Sequence, residues 1–348
     1  MKLTEARALA AGLAIDAVVS VVALREAGVP AQLMKKLRKS SPVPGVLLLE
    51  DRPLTPLLRA RVLQVLAGDD CLITGWLACS FLRLRWIDAG PAVTCLVPAE
   101  RQRRSRGWAR IRRTTVFSQV TRQEIGGIAV ADVPWAVVDA AREISARKDL
   151  SDPAKLRAVR GVVLGAVLDK RCTVEQLLRV IVQTGIRHSA LVRQACTDAE
   201  RGAVSPPEAE MADDALTLGV PFLLNVEIWL DGRFLGIADG WLVGTGVGWE
   251  SDSKAEHAED EKLDATLVRS EGFRVGDLHL AHVTPKRYRE QRLAWWEREV
   301  VSEVRRRQER GVGDPPGLEL RNPRGPLLFV PRPDPPYVVP EMQMPEAA

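Results

Sequence analysis

Three acidic side chains of the C-terminal half lie where two neighbouring strands are predicted to meet. Glu250 and Asp252 are two residues apart in the segment GVGWESDSKAEH, so they share one face of a strand. Asp239 lies in the preceding apolar stretch GIADGWL, although aspartate is uncommon in strands. The GTG turn brings Asp239 alongside Glu250, and carboxylates this close repel one another unless a cation compensates. The pattern therefore predicts an Mg²⁺ or Mn²⁺ site formed by Asp239, Glu250 and Asp252.

Two basic side chains follow the acidic pair and complete a candidate hydrolytic site. A metal-bound water is a better nucleophile than free water, and the metal shields the charge that develops on a phosphate. Lys254 or His257 would orient that water or take its proton. Glu208, in the first turn of a predicted helix, would assist from above the sheet. The predicted catalytic residues are therefore Glu208, Asp239, Glu250, Asp252, Lys254 and His257.

Several of these residues also fit a purely structural role. Glu208 lies three residues after Ser205, which is the spacing of a capping box. Asp252 starts the segment DSKAEHAEDEKL, where it would cap a helix with an acidic first turn. A single histidine such as His257 is more often a surface or capping residue than a base. Asp239 and Glu250 are the hardest to explain structurally, so the pair on adjacent strands is the more specific signal.

The elements that must position these residues form a distinct unit, residues 205–310. SPPEAEMADDALTLGVP predicts a helix that starts at a serine and two prolines. FLLNVEIWL, FLGIADGWLV and VGWES predict a three-stranded meander with turns at DGR and GTG. A helix that ends near Gly272, a fourth strand in RVGDLHLAHV and a long helix from Thr284 follow. Residues 314–348 hold about ten of the 23 prolines and predict an extended or disordered tail.

This pattern resembles a known nuclease family. The segments SPPEA, LGVP, IADGWL, VGWESDSKAEH and EGFRV are similar to the very-short-patch-repair-like endonuclease domain of the PD-(D/E)XK nuclease superfamily. The resemblance covers roughly residues 205–290 and implies a restriction-endonuclease-like fold with Mg²⁺-dependent cleavage of DNA phosphodiesters. It assigns Asp239 and Glu250 to the two central acidic positions of the superfamily and Glu208 to the acid on the helix.

One position departs from the superfamily pattern. The lysine that follows the second acid by two residues is replaced here by Asp252. Lys254, from a shifted position, or His257 would have to do its work. The alternative is a DNA-binding protein with a nuclease fold that no longer cuts.

The first 55 residues predict a small winged-helix-like DNA-binding module. The apolar stretch from Ala8 to Leu24 contains Asp16 and predicts a buried helix rather than a membrane span. AQLMKKLRK predicts a second helix and GVLLLE a strand. The basic face of that second helix would contact DNA phosphates, although a merely solvated face fits equally well. The residues concerned are Lys35, Lys36, Arg38 and Lys39.

Residues 56–200 predict a mixed α/β region followed by helices, including a capping box at Thr173 to Gln176. An arginine cluster around Trp108 suits either a nucleic-acid backbone or a solvated hairpin. ITGWLACSFLRL, VPAERQRRSRG and GIAVADVPWAVVDAAREI faintly resemble AbiEi-type antitoxins, which implies DNA binding without chemistry and a toxin or other protein as a partner. The arginines singled out for DNA contact are Arg103, Arg104, Arg106 and Arg110.

Composition favours a cytoplasmic protein of two or three domains in the α/β (α+β) class. The chain has 348 residues and a net charge of +4, which permits nucleic-acid binding without requiring it. Its five cysteines form no C-x-x-C pair, which argues against both a disulfide framework and a zinc knuckle. No Walker motif, dinucleotide fingerprint or serine elbow is present. The sequence does not specify the oligomeric state.

Overall fold

The structure, a computed structural model, describes residues 1–68, 70–87, 89–185, 189–251 and 272–328. Helices and strands are mixed along the chain, so the predicted α/β class is confirmed. The chain divides into two compact units, an N-terminal unit (Met1–Cys196) and a C-terminal unit (Thr197–Ala348). No helix in the described ranges combines the length and the apolar character needed to cross a bilayer.

The N-terminal unit begins with three helices and a three-stranded antiparallel sheet. The elements are α1 (Leu3–Leu13), β1 (Val18–Ser20), α2 (Val21–Glu26), α3 (Ala31–Leu37), β2 (Ser40–Val43) and β3 (Val46–Leu48). The strand order is β1-β3-β2, so β3 is central and pairs with β2 as a hairpin. Ser20 starts α2, because its hydroxyl accepts hydrogen bonds from the backbone N–H groups of Val22 and Ala23.

The stretch from Ala8 to Leu24 is not the single buried helix that its composition predicts. α1 ends at Leu13, and Asp16 and Ala17 have φ angles of 49° and 62°. Left-handed backbone at two consecutive residues cannot continue a right-handed helix. The chain therefore turns back and continues as β1, whose valines are buried as they would be in a helix.

A second sheet forms the centre of the N-terminal unit. Its elements are α4 (Pro56–Ala67), β4 (Leu72–Thr74), α5 (Gly75–Phe81), β5 (Val93–Pro98), β6 (Ala109–Thr114), β7 (Arg122–Ile125), β8 (Ile128–Ala131) and α6 (Val133–Ser145). The strand order is β6-β5-β4-β8-β7. The pairs β5–β6 and β4–β8 are parallel, and the other two are antiparallel. Apolar side chains of these strands and of α4 to α6 share one continuous core.

Three further helices follow: α7 (Asp152–Leu168), α8 (Val174–Thr184) and α9 (Ala190–Glu200). The predicted capping box starts α8. The Thr173 hydroxyl accepts the N–H of Gln176 at 3.2 Å, and the Gln176 side chain accepts the N–H of Thr173 at 2.9 Å.

The C-terminal unit is built on a five-stranded sheet. Its elements are α10 (Pro206–Leu218), β9 (Phe222–Leu230), β10 (Arg233–Leu242), β11 (Val247–Ser251), β12 (His279–Val283), α11 (Pro285–Trp296), α12 (Ser302–Glu309) and β13 (Leu318–Arg321). The strand order is β12-β11-β10-β9-β13. β9, β10 and β11 form the predicted antiparallel meander, whereas β12 runs parallel to β11.

Local sequence explains the ends of these elements. The Ser205 hydroxyl accepts the N–H of Glu208 at the start of α10, and Gly219 ends the helix with φ +64°. Asp231 and Gly232 have φ angles of 49° and 77°. Two consecutive positive φ angles are typical of the tight turns that join hairpin strands, and this turn joins β9 to β10.

Two predictions for the C-terminal unit need correction. The strand expected in RVGDLHLAHV is shorter, because residues 272–275 are helical and β12 starts only at His279. The proline-rich segment after residue 313 is not wholly a disordered tail. Its first part forms β13 along β9, and Leu328 pairs with Phe222 in an isolated bridge. The helix predicted before Gly272 lies mainly outside the described residues.

Candidate functional site

Asp239 and Glu250 are opposite one another on adjacent antiparallel strands. The register pairs Gly240 with Trp249 and Trp241 with Gly248, and its continuation by one residue pairs Asp239 with Glu250. Directly opposite residues typically have Cβ atoms about 4.5–5.5 Å apart and share one face of the sheet. The structure therefore brings together the two acids that alternation and the GTG turn predicted to meet.

The Asp239 carboxylate also forms a hydrogen bond with the backbone at the end of β11. Its Oδ2 atom accepts the backbone N–H of Ser251 at 2.6 Å. Ser251 is the last residue of β11, so this bond fixes the backbone immediately after Glu250. Asp239 thus has a structural task in addition to its place beside the second acid.

A histidine that the sequence analysis did not single out lies on the other side of Glu250. β12 runs parallel to β11, and its His282 is the register partner of Glu250. The His282 Nδ1 atom lies 4.0 Å from the Glu250 Oε2 atom, and the two side chains are 29% and 17% exposed. The sequence shows only that His282 lies in a predicted strand. Because β12 follows β11 through a crossover connection, the sequence does not determine which β11 residue His282 faces.

Asn225 extends this row on the opposite side. The pairs Val226–Ala238 and Leu224–Gly240 bracket Asn225 and Asp239, which places these two residues opposite one another on β9 and β10. The row formed by Asn225, Asp239, Glu250 and His282, named the polar row, therefore crosses four strands of the sheet.

Glu208 joins the polar row through Asn225. The Asn225 Nδ2 atom donates to the Glu208 Oε2 atom at 2.8 Å, and the same oxygen accepts the N–H of Val204 at 3.0 Å. The Ser205 hydroxyl donates to the other carboxylate oxygen at 2.8 Å. Burial raises the pKa of Glu208, while these hydrogen bonds oppose the increase. Glu208 thus stabilises the start of α10 and contacts the row through an amide.

A buried arginine holds the turn that sets the register of the polar row. The Arg307 Nε atom donates to the Thr245 carbonyl at 2.8 Å, and its Nη2 atom donates to the Asp277 carbonyl at 2.6 Å. Thr245 lies in the turn between β10 and β11, and Asp277 lies just before β12. The Asp314 carboxylate accepts the N–H groups of Gly244 and Gly246 at 2.6 and 2.7 Å.

Packing on the opposite face fixes the same strands. Trp249 is fully buried against Gly240 and stacks edge-on with Trp296, with ring centroids 5.5 Å apart. A Cβ atom on Gly240 would lie 1.9 Å from the Trp249 ring. Glycine at this position therefore leaves the space that the Trp249 ring occupies against β10.

The described residues supply part of the predicted metal site. Asp239 and Glu250 offer carboxylate oxygens from adjacent strands, and Mg²⁺ is commonly held by one or two carboxylates together with water and substrate phosphates. Within the described ranges, no group of three or more His, Cys, Asp or Glu side chains is placed to hold a metal ion. Asp252, Lys254 and His257 lie outside the described residues.

The predicted basic helix is exposed but ends at Leu37, two residues before the end of AQLMKKLRK, because Arg38 already has extended backbone. Lys35 and Lys36 lie in the last turn of α3 and are exposed, while the intervening face buries Met34 and Leu37. Arg38 and Lys39 follow directly and are also exposed. All four cations are therefore accessible to solvent, which fits contact with phosphates and a solvated face equally well.

The four arginines singled out for DNA contact are all exposed, and one of them, Arg106, also has a structural contact. Arg103, Arg104 and Arg110 are exposed. The Arg106 Nη1 atom donates to the Pro44 carbonyl at 2.7 Å, and the Trp108 indole N–H donates to the Pro42 carbonyl at 3.1 Å. Arg106 and Trp108 thus connect the β2–β3 hairpin to the central sheet by hydrogen bonds. Neither of the two interpretations of the arginine cluster, DNA contact or a solvated hairpin, predicted this structural role.

Comparison with known proteins gives no family for the chain. No protein-family model matches it. No curated protein has significant sequence similarity to it.

Proposed function

We propose that the C-terminal unit hydrolyses DNA phosphodiester bonds with the help of Mg²⁺ or Mn²⁺. The observation that supports this proposal is the polar row, in which two carboxylates lie side by side on one face of the sheet. Like charges directly opposite one another destabilise a strand pair, and a bound cation would remove that repulsion.

Each residue of the predicted hydrolytic site has a proposed role. Asp239 and Glu250 hold the cation, with Asp252 as a further ligand. The bound cation would lower the pKa of a coordinated water and shield the charge on the scissile phosphate. Lys254 or His257 orients the attacking water or accepts its proton. Glu208 assists by fixing Asn225 beside Asp239.

The N-terminal unit is proposed to bind DNA through its basic surfaces. Lys35, Lys36, Arg38 and Lys39 on one surface and Arg103, Arg104 and Arg110 on another would neutralise phosphates. Each contact made would steepen the fall of affinity with salt concentration. None of the five cysteines, which all lie in the described residues, forms a disulfide, and all are buried, which fits the proposed cytoplasmic location.

The second candidate is a DNA-binding regulator without catalysis, which would act with a toxin or another protein partner. One observation favours it. Two of the three acids that the resemblance assigns to the nuclease site, Glu208 and Asp239, accept hydrogen bonds that stabilise local structure. Such bonds would preserve these residues in a fold that no longer cuts.

A plasmid assay tests the first candidate. Purified full-length protein is incubated with supercoiled plasmid in Mg²⁺, Mn²⁺ or EDTA, and nicked and linear products are measured. We expect cleavage in Mg²⁺ or Mn²⁺ that is lost with EDTA and in Asp239→Asn and Glu250→Gln. Glu309→Gln, an exposed acid at the end of α12, is the matched control and should cut normally.

The same samples separate the two candidates. Gel shifts at increasing salt measure DNA binding independently of cleavage. Salt-sensitive binding together with no cleavage of any DNA form in either metal would support the regulator and reject the nuclease.

A further inference from the structure

The N-terminal unit contains a cavity unrelated to the polar row. It has a volume of about 320 Å³ and lies among α5, α6, α7 and the segment before β5. Its aromatic and charged lining residues include Trp76, Trp86, Arg110, Glu143, Arg147 and Lys148. Small-molecule sites typically occupy about 300–1,000 Å³ and are mostly apolar with a few polar groups. The cavity is at the lower end of this range.

Two tryptophans form its aromatic walls. Trp76 is buried, and its indole N–H is held by the Ala92 carbonyl. Trp86 is 46% exposed and has a φ angle of +53°. A positive φ is unusual for a bulky residue, and strained backbone of this kind is concentrated at ligand sites. The Trp86 ring also lies against Gly165 of α7, where a Cβ atom would be 3.4 Å from it.

The lining also contains a half-buried carboxyl group, that of Glu143. Glu143 accepts the backbone N–H of Trp76 at 2.9 Å and a hydrogen bond from the Thr94 hydroxyl. Burial raises the pKa of Glu143 to about 8. At neutral pH this group is therefore mostly an uncharged carboxylic acid that does not repel an anion.

The rim is positively charged. Arg147 is paired with Asp149, with Nε–Oδ1 and Nη2–Oδ2 distances of 3.1 and 2.5 Å. Arg110 and Lys148 are exposed, and neither forms an ion pair within the described part of the chain. With Glu143 neutral, the lining residues that the structure describes carry two more positive than negative charges.

We propose that this cavity binds a planar aromatic molecule that carries one anionic group. The indole rings of Trp76 and Trp86 stack on the aromatic body. Arg110 and Lys148 attract the anionic group at the rim. The site does not depend on the polar row, because all its residues lie in the N-terminal unit, but it shares Arg110 with the surface proposed to contact DNA.

The test uses two probes of nearly equal size and shape, 1-naphthoate and the neutral 1-naphthalenemethanol. Saturation-transfer NMR and calorimetry on the full chain measure their dissociation constants at neutral pH. We expect saturable binding of both probes, with naphthoate at least several-fold tighter. Ala158→Phe, which places a ring in the cavity from α7, should abolish binding of both.

A matched pair of variants isolates the charge. Arg110→Ala should weaken naphthoate about tenfold and leave naphthalenemethanol unchanged. Arg113→Ala removes an exposed arginine of the same strand that faces the other way, and should change neither constant. The proposal is overturned if wild type shows no saturable binding, if Arg110→Ala and Arg113→Ala act alike, or if a folded Ala158→Phe variant binds as well as wild type.

Discussion

Asp239 and Glu250 are cross-strand neighbours, and Asp239 simultaneously accepts the N–H of Ser251 at 2.6 Å. One carboxylate thus holds the strand that carries the other. Their mutual repulsion and this hydrogen bond act in opposite directions on stability, so substitutions can separate the two effects.

Asp239→Asn should make the protein insensitive to divalent cations without unfolding it. The amide oxygen still accepts the Ser251 N–H, while the repulsion with Glu250 disappears. Without metal, the variant should therefore be at least as stable as wild type. Saturating Mn²⁺ should raise the melting temperature of wild type but not of Asp239→Asn, because a ligand stabilises only the state that binds it. Equal Mn²⁺ shifts in both proteins would contradict a metal at this position.

His282→Ala should weaken Mn²⁺ binding or Mn²⁺-dependent cleavage by about 10- to 100-fold, the usual effect of removing a group that supports a metal ligand. His279→Ala is the control, since His279 lies on the same strand and contacts the Glu299 carbonyl at 2.9 Å instead. Calorimetry with Mn²⁺ gives the affinity and the plasmid assay gives the rate. Similar losses in both variants would mean that β12 as a whole was disturbed.

Glu143→Gln should flatten the pH dependence of stability in the N-terminal unit. Between the ordinary carboxyl pKa of 4.5 and the raised value of about 8, the folded protein keeps a proton that the unfolded chain loses. Stability therefore decreases as pH rises through this window, by on the order of 1.4 kcal/mol per unit. Glutamine cannot ionise, so the variant lacks this decrease.

Urea unfolding at pH 5 to 9 measures that difference. Asp139, one turn earlier on α6, and Arg112 and Thr94, on neighbouring strands, face Glu143 and are present in both proteins. Glu309→Gln should retain the wild-type slope. A variant slope equal to that of wild type would show that Glu143 is ionised in the folded state.

Gly240→Ala should destabilise the C-terminal unit by about 1–3 kcal/mol or more, because the new methyl group would overlap the buried Trp249 ring. The strand pair that carries Asp239 and Glu250 should shift with it, and the Mn²⁺ stabilisation should decline. Gly12→Ala in α1, where no atom lies within 4 Å, should instead stabilise the protein by about 0.5–1 kcal/mol. Thermal unfolding followed by circular dichroism compares the two.

The part of the site that the sequence could predict is the part built by local rules. Strand alternation and a short turn were sufficient to place Asp239 beside Glu250. His282 could not be placed in this way, because β12 reaches β11 through a crossover whose length does not determine a parallel register. Glu208 was predicted with two roles, and the structure shows its capping hydrogen bonds while its catalytic role stays a prediction.

The fold shows the same division. Helix caps such as Ser205 and Thr173 were visible, since they depend on a few adjacent residues. The break at Asp16 and Ala17 was not, because an apolar composition suits a buried strand as well as a buried helix. β13 was missed because its pairing with β9 is a long-range contact inside a proline-rich segment.

Arg307 gives the polar row an unexpected mechanical property. Its guanidinium donates hydrogen bonds both to Thr245, in the turn between β10 and β11, and to Asp277, which lies just before β12. These two points of the chain are therefore held at a fixed distance from one another. A lysine would present a single flexible ammonium instead of this rigid fork. The spacing of Asp239, Glu250 and His282 thus depends on an α12 side chain that binds the opposite ends of their strands. Replacing Arg307 with lysine would therefore alter the positions of all three residues together.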